Sequence, residues 1–510
     1  VKPVISPPRR HLLGAMLAAG VGPAFVRHAL AADRPRFALG VASGAPTAAS
    51  LVLWTRLTGA DLPPELSVQW ELAEDERFTR IAARGSEVAR AADAHSARAE
   101  PAGLAPGRPY WYRFQALGQT SATGRTRTAP APEAPNPSLR FVIASCQRWD
   151  HGHYAAWRDA VASEPDLVLF LGDYIYEYAS APRVLRPHEG GMVRTLEQYR
   201  ARYAQYKSDP LLQAAHAACP WIVIWDDHEV ANDYAGAQGA EPDPDFAARR
   251  SAAYRAWWEH MPVPHALRPQ ADGSLRIFGR LDWGRLARLQ WIDGRQYRDP
   301  PACPPRSPGG SKTARPADCP ELADPGRSML GIAQERWLCE GFSTAHRWNL
   351  LAQPTLMSRF HFEDPAWHGG RFRTDGWDGY PATRARLLGA LAERRIPGAV
   401  VLGGDLHTHL VAELHADVDD TRSPRVASEF CGTSISSRGR PQALLDAARR
   451  VNPHLRYARG DQRGTMQFVL GAGRLEADLR AVADPGDPDS AVTSAARFVV
   501  AAGQPAVERA

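Results

Sequence analysis

Asp166-Leu167-Val168-Leu169-Phe170-Leu171-Gly172-Asp173-Tyr174-Ile175-Tyr176 is the segment from which the architecture is read. An unbroken apolar run too short for a helix, bounded by Gly172, reads as a strand buried on both faces, as in a parallel sheet with covered sides. The same grammar recurs at Arg140–Ser145, Trp221–Trp225, Leu286–Ile292 and Ala399–Gly404. Helical stretches at 153–163, 196–207 and 382–394 alternate with these strands, and the alternation predicts an α/β fold.

The residues just beyond these strands are more informative than the strands themselves. Arg140–Ser145 runs into Cys146, and Asp166–Gly172 into Asp173, Tyr174 and Tyr176. Trp221–Trp225 runs into Asp226-Asp227-His228-Glu229, with Asn232 and Asp233 close behind. Ala399–Gly404 runs into Asp405-Leu406-His407-Thr408-His409. Ligands in α/β sheets bind beyond the carboxyl ends of the strands, so these side chains are expected to converge. Singly, each has an ordinary reading: an aspartate after glycine caps turns, a cysteine fills a core, and an acidic run is a solvated face. Together, thiolate, phenolate, carboxylate, carboxamide and imidazole donors at successive strand ends predict two ions of different character. The first two suit a strongly polarising ion such as iron, and the oxygen donors suit calcium, magnesium or manganese. A bridging aspartate and two ions roughly 4 Å apart are the apparatus of phosphoryl transfer.

Upstream, residues 34–130 read differently. Short alternating runs at Phe37–Leu39, Ser50–Arg56, Ser67–Leu72 and Tyr110–Ala116, separated by turn residues, predict a β-sandwich of about a hundred residues. Leu104-Ala105-Pro106-Gly107-Arg108-Pro109-Tyr110 resembles the turn before a fibronectin type III strand. The Ala/Pro-rich stretch 131–138 reads as a linker, 139–480 as the α/β unit, and 481–510 as a segment that finishes the fold or frays.

The 510 residues carry a formal charge of +5, with 44% apolar and 23% charged residues, values of a globular chain. Residues 1–31 hold Lys2, Arg9, Arg10 and Arg27 and no acid, so the remainder carries only about +1 of the +5. No basic field for nucleic acid or anionic membrane is expected. Arg9-Arg10, the apolar run to Val26 and the small-residue site Ala29-Leu30-Ala31 resemble a twin-arginine export signal, the alternative being an ordinary secretory signal in which two arginines fall together by chance. The former predicts a periplasmic or secreted protein, exported by the twin-arginine machinery and without a stable membrane anchor. Of six cysteines, Cys303 and Cys319 share a Pro/Gly-rich loop and are the expected disulfide, while Cys219, Cys339 and Cys431 read as buried thiols.

The joint blocks Gly172-Asp173, Asp226-Asp227-His228-Glu229 and Gly404-Asp405-Leu406-His407 resemble those of metallophosphoesterases. With Ala144-Ser145-Cys146-Gln147, Tyr174-Ile175-Tyr176-Glu177-Tyr178 and Gly294-Arg295-Gln296-Tyr297-Arg298, the chain looks like a PhoD-type alkaline phosphatase over nearly its whole mature length. The resemblance implies an αββα sandwich preceded by a small fibronectin type III-like β-sandwich. It also implies hydrolysis of phosphate monoesters and diesters by a metal-bound hydroxide, with iron(III) and calcium as cofactors. Small phosphate esters or phosphodiester polymers are the implied substrates.

Carried over by residue, Cys146, Asp173, Tyr176 and His407 would hold iron, with Asp173 bridging to calcium. Asp405 and either Asp227 or Asn232 would complete the calcium side. By analogy with the Asn-His pair of purple acid phosphatases, Asp227 would be the ligand and His228 the group contacting phosphate, where it could protonate the leaving oxygen. Arg295 could offer a bidentate fork to phosphate or stand as a bystander. A His407-x-His409 ligand pair, as in other metallophosphoesterases, is a further arrangement. Rival functions are a phosphodiesterase or nuclease on the same site, a zinc hydrolase, and an inactive envelope-binding protein.

Overall fold

The computed structural model describes residues 35–135, 138–270, 273–304, 313–366 and 369–510. The export-signal reading of residues 1–31 therefore lies outside the described residues.

Two sheets stack face to face. The first has ten strands, in the order Val507–Arg509, Val492–Ala501, Arg474–Val482, Met466–Gly471, Ser138–Ala144, Leu167–Leu171, Pro220–Ile224, Val41–Gly44, Val52–Arg56 and Ser96–Ala99. The second has seven: Gly279–Trp283, Ala287–Trp291, Trp348–Ala352, Ala399–Gly403, Arg425–Cys431, His409–His415 and Leu455–Arg459. Each sheet has a parallel heart. Ser138–Ala144, Leu167–Leu171 and Pro220–Ile224 pair in parallel in the first, and Ala287–Trp291, Trp348–Ala352, Ala399–Gly403 and Arg425–Cys431 in the second. Leu167–Leu171 is buried along its whole length, as its uninterrupted apolar sequence requires.

The core lies between the sheets, where Phe141, Ile143 and Phe468 of one share a cluster with Leu350, Leu402 and Phe430 of the other. Phe141 stacks on Phe468, and Phe430 meets Phe468 edge-on. Helices Ala155–Ala162, Leu196–Lys207 and Pro210–Ala218 cover the first sheet, while Gly331–Gly341 and Pro381–Glu393 cover the second. This is the expected αββα arrangement. Thr195 opens one helix with a capping box to Gln198, and Asp209 caps the next, so both boundaries are written locally.

The N-terminal β-part shares a sheet with the rest. Glu65–Ala73, Ile81–Arg90 and Pro109–Ala116 form a separate layer, and Pro109–Ala116 alternates between buried and open positions. The opposing layer is the end of the ten-stranded sheet: Val41, Leu53, Ala97 and Ala99 pack against Val68, Leu72, Tyr112 and Phe114. Val41–Gly44 lies parallel to Pro220–Ile224, with Ser43 opposite Pro220. The stretch around 131–138 therefore does not divide two independent sheets. The strand expected at Phe37–Leu39 is a turn, and the chain extends only from Val41, after Gly40 at φ +73°. Residues 481–510 finish the fold: two strands extend the first sheet to its edge. Cys303 and Cys319 are bridged. Cys219 and Cys431 are buried, while Cys339 is half-buried at the margin of the core cluster that its helix covers.

Candidate metal centre

The convergence expected at the strand ends is present, and two glycines permit it. Gly172 has φ +100°, and a Cβ there would stand 2.5 Å from Asp226 Cβ. Gly404 approaches Ser145 so closely that a Cβ would lie 2.5 Å from its hydroxyl oxygen. The first glycine lets neighbouring loops of one sheet touch, and the second lets a loop of the opposite sheet dock on Ser145-Cys146. Backbone bonds lock the loops together. Cys146 N–H donates to Gly172 O at 3.1 Å, Gln147 N–H to Asp173 O at 3.2 Å, and Ser437 N–H to Cys146 O at 3.3 Å.

Cys146, Asp173, Asp405 and His407 all have positive φ, between 52° and 61°. Non-glycine residues held in this region store local strain, and the strain gathers where donors must turn inward from a strand end.

Two donor groups share Asp173. Cys146, Asp173 and His407 offer ligand atoms within 4.8 Å of one another, and so do Asp173, Asp227 and His228. Tyr176 joins the first group: its hydroxyl donates to Asp173 Oδ2 at 2.8 Å and lies 3.2 Å from His407 Nε2. Ser437 Oγ donates to the same phenolic oxygen at 2.9 Å. His407 Nδ1 lies 2.8 Å from the Arg438 carbonyl, an acceptor that fixes the proton there and leaves Nε2 with its lone pair. Asp405 and Asn232 line the same cavity, of about 230 Å³, with Asp227, His228 and His407. Both face the space beside the donors, outside the two tight groups. His409 turns elsewhere: Nε2 bonds the Arg480 carbonyl, and Nδ1 accepts from Thr433 N–H. The His407-x-His409 pairing is thus not the arrangement found.

Electrostatics fit a cation. Burial, reinforced by the neighbouring Asp173, pushes the Cys146 thiol well above its ordinary pKa. Burial, with Asp173 and Cys146 nearby, does the same to Tyr176, and burial raises Asp173 well above the usual carboxylate range. Burial lowers His407 to about 3, the neutral form that ligates. Asp173 Oδ1, buried, has no hydrogen-bond partner among the described residues. A multivalent cation is the counter-charge that lets thiolate, phenolate and carboxylate ionise side by side, and the residues fit such an ion.

Sequence reading missed the groups that orient this set. Glu177 Oε2 lies 2.8 Å from His228 Nδ1, while Oε1 accepts Asn232 N–H at 2.8 Å, so one carboxylate fixes two cavity residues. Burial alone would lower His228, but Asp227, Glu177 and Asp173 hold its pKa well above the ordinary value. Its ring packs between Tyr176, at 4.2 Å, and Tyr178, at 5.2 Å. Glu229 accepts from the N–H groups of Asp173, Tyr174 and Asp226. Glu177 and Glu229 stand inside the motif blocks, but apart from the local bond from Asp226 to Glu229 their roles depend on contacts more than fifty residues apart in sequence.

Arg295 differs from the phosphate fork proposed for it. It is 0% exposed and does not line the cavity. Its guanidinium is committed to Asp226 and Asp375, with Asp227 at 3.7 Å. Arg295 thus serves these buried carboxylates, and Arg298 shares Asp375 with it at 2.7 Å. Despite burial, Arg295 and His228 hold Asp227 below the carboxylate range. The arginines that do line the cavity are Arg373, Arg438 and Arg440, which no strand-end pattern singles out.

A family model for PhoD-like phosphatases matches residues 141–479, and one for the N-terminal domain of PhoD-like phosphatases matches residues 23–130. The chain belongs to the PhoD-like phosphatase family. Alkaline phosphatase D of Bacillus subtilis (strain 168) is 39% identical over 505 residues, covering 96% of this chain and 84% of that protein. A solved PhoD structure matches with a TM-score of 0.88 at 37% identity, covering 94% of this chain and 92% of the other. This PhoD-like phosphatase is thus a phosphoric ester hydrolase of a metal-dependent family, and its fold is that of PhoD. The donor groups around Asp173 are where its metal chemistry is expected.

Proposed function

We propose that the protein is an exported alkaline phosphatase that cleaves phosphate monoesters and diesters at a mixed iron(III) and calcium centre. The observation that carries this reading is the sharing of Asp173 between two donor groups of unlike chemistry. Cys146, Asp173, Tyr176 and His407 would hold the iron. Asp173, Asp227, Asn232 and Asp405 would hold calcium, because they offer oxygen donors alone. When bound, the two ions polarise phosphoryl oxygens and make water a competent nucleophile near neutral or mildly alkaline pH.

The remaining work falls to this chain's side chains. Arg373, Arg438 and Arg440 face the cavity with charge complementary to phosphate. His228, with Nδ1 bound to Glu177, carries a proton on Nε2 that can pass to the departing oxygen. The buried Asp226–Arg295–Asp375 network fixes Asp227 from behind. Arg9-Arg10 and the apolar run after them support export by the twin-arginine route to the periplasm or beyond. Among the described residues no helix is long and apolar enough to cross a membrane.

The test is elemental analysis of protein purified from its export compartment, beside assays with p-nitrophenyl phosphate and bis-p-nitrophenyl phosphate. Iron and calcium together with hydrolysis of both esters is the expected result. Zinc alone, or inertness towards the diester, contradicts this reading.

A further inference from the structure

The segment Ile435-Ser436-Ser437-Arg438, between the strand Arg425–Cys431 and the helix Gln442–Val451, reaches three of the four residues assigned to iron. Ser437 N–H donates to the Cys146 carbonyl at 3.3 Å. The Ser437 hydroxyl stands 2.8 Å from that same carbonyl and 2.9 Å from the Tyr176 phenolic oxygen. Next in the chain, the Arg438 carbonyl lies 2.8 Å from His407 Nδ1. The segment supplies no ligand itself, and the partners of its Ser437 hydroxyl lie 261 and 291 positions away in sequence.

This segment is tied down on every side. Ile435 N–H donates to the Ser145 carbonyl at 3.0 Å, and the Ser436 hydroxyl to the Arg148 carbonyl at 2.8 Å. Arg438 N–H donates to His151 Nδ1 at 3.2 Å, and Arg148 N–H to the Ser437 hydroxyl oxygen at 3.4 Å. Ser437 is 0% exposed, so its single hydroxyl proton goes to one of the two oxygens within reach. The Cys146 carbonyl already accepts the Ser437 N–H. A phenolate carries more charge than a carbonyl and takes the stronger hydrogen bond. Among the described residues, three side chains lie within hydrogen-bond distance of the phenolic oxygen. Asp173 accepts and His407 Nε2 offers a lone pair, which leaves Ser437 as the donor.

Resting on the iron reading above, we infer that Ser437 is a positioning residue of the metal centre, whose hydroxyl donates to the Tyr176 phenolate when that phenolate binds iron. The donated hydrogen bond draws electron density from the phenolate oxygen. Less density then reaches the ion, which makes the iron a stronger Lewis acid and easier to reduce. A side chain that only filled space would change neither property.

Ser437→Ala removes one oxygen and leaves the backbone bonds to Cys146 and His407 in place. The test compares iron-loaded wild type and variant at equal metal content. In the variant the visible phenolate-to-iron absorption band is expected to move to longer wavelength, and the reduction potential of the iron to fall. Resonance Raman spectra of wild type, excited in the same band, need no variant. The phenolate C–O stretch is expected to shift between water and heavy water, because the donated proton exchanges. A band and a potential unchanged in folded Ser437→Ala, or a stretch identical in the two solvents, overturn the inference. Iron-loaded wild type with no visible band contradicts Tyr176 as a ligand, and with it the iron centre on which the inference rests.

Discussion

The Tyr176 hydroxyl stands 3.2 Å from His407 Nε2 across 231 residues of sequence, and the two side chains come from loops at the ends of opposite sheets. Their meeting measures how accurately the sandwich must close for the site to exist. The same phenol also contacts Asp173 and Ser437. Tyr176→Phe is expected to leave the fold intact and remove one donor. Metal affinity should fall about 10–100-fold, and any visible phenolate-to-metal absorption of the native protein should disappear. Spectrophotometry of equally loaded samples checks both.

Glu177 touches His228 and Asn232 at once. In Glu177→Gln, His228 loses a charged partner while the side-chain volume is kept. The expected result is a fall in kcat of about tenfold or more, with KM and the thermal midpoint little changed. A larger change in KM than in kcat would show that Glu177 serves binding instead.

Arg295 neutralises carboxylates that have no access to water. Arg295→Met should cost about 3–5 kcal/mol of stability, because it leaves the buried Asp226 without its cation while Asp375 keeps Arg298. Denaturant unfolding checks the figure. A fully stable variant whose only defect is a raised KM would restore the role of phosphate fork.

Lys207 is buried with its ammonium 4.3 Å from the Trp54 ring centre and 3.4 Å from His216 Nε2. Burial lowers its pKa from 10.5 to about 7. Between these values the unfolded chain binds the extra proton, so this residue's contribution to stability rises with pH from about 7 to 10.5. Lys207→Met should therefore be more stable than wild type at pH 7, with the gap narrowing towards pH 10. Urea titrations at the two values check it, and a gap independent of pH would contradict it.

Much of the fold was legible in the sequence because buried parallel strands are short, apolar and end abruptly. The runs at Asp166–Gly172 and Ala399–Gly404 match observed strands to within a residue at each end. The ligand types were legible for the same reason, since each comes directly after its strand. Less legible was anything that depends on a partner from another element. The strand Val41–Gly44 joins the distant Pro220–Ile224, and no local pattern announces that the two β-layers share a sheet. Arg295 sits just beyond a strand end, as a phosphate-binding residue would. Its occupation by Asp226 and Asp375 is a tertiary fact. Arg438 and Arg440 lie in an irregular segment and Arg373 in the two-residue strand Phe372–Arg373, and all three were missed among many other arginines.

Close packing at Gly172 admits its own check. Gly172→Ala adds a methyl 2.5 Å from Asp226 Cβ at a backbone angle unfavourable to side chains. The loops carrying Asp173 and Asp226 must then part, at a cost of at least about 2 kcal/mol, with activity lost before the fold is. Thermal melts beside activity at the same temperature separate the two effects.

Asp173 is the residue on which the two-ion account turns, because it alone belongs to both donor groups. The most direct measurement is the metal content per chain of wild type and folded Asp173→Ala, purified identically. The account predicts two ions per chain in wild type and loss of both in the variant, together with hydrolysis. Full metal occupancy and undiminished hydrolysis in Asp173→Ala would contradict it.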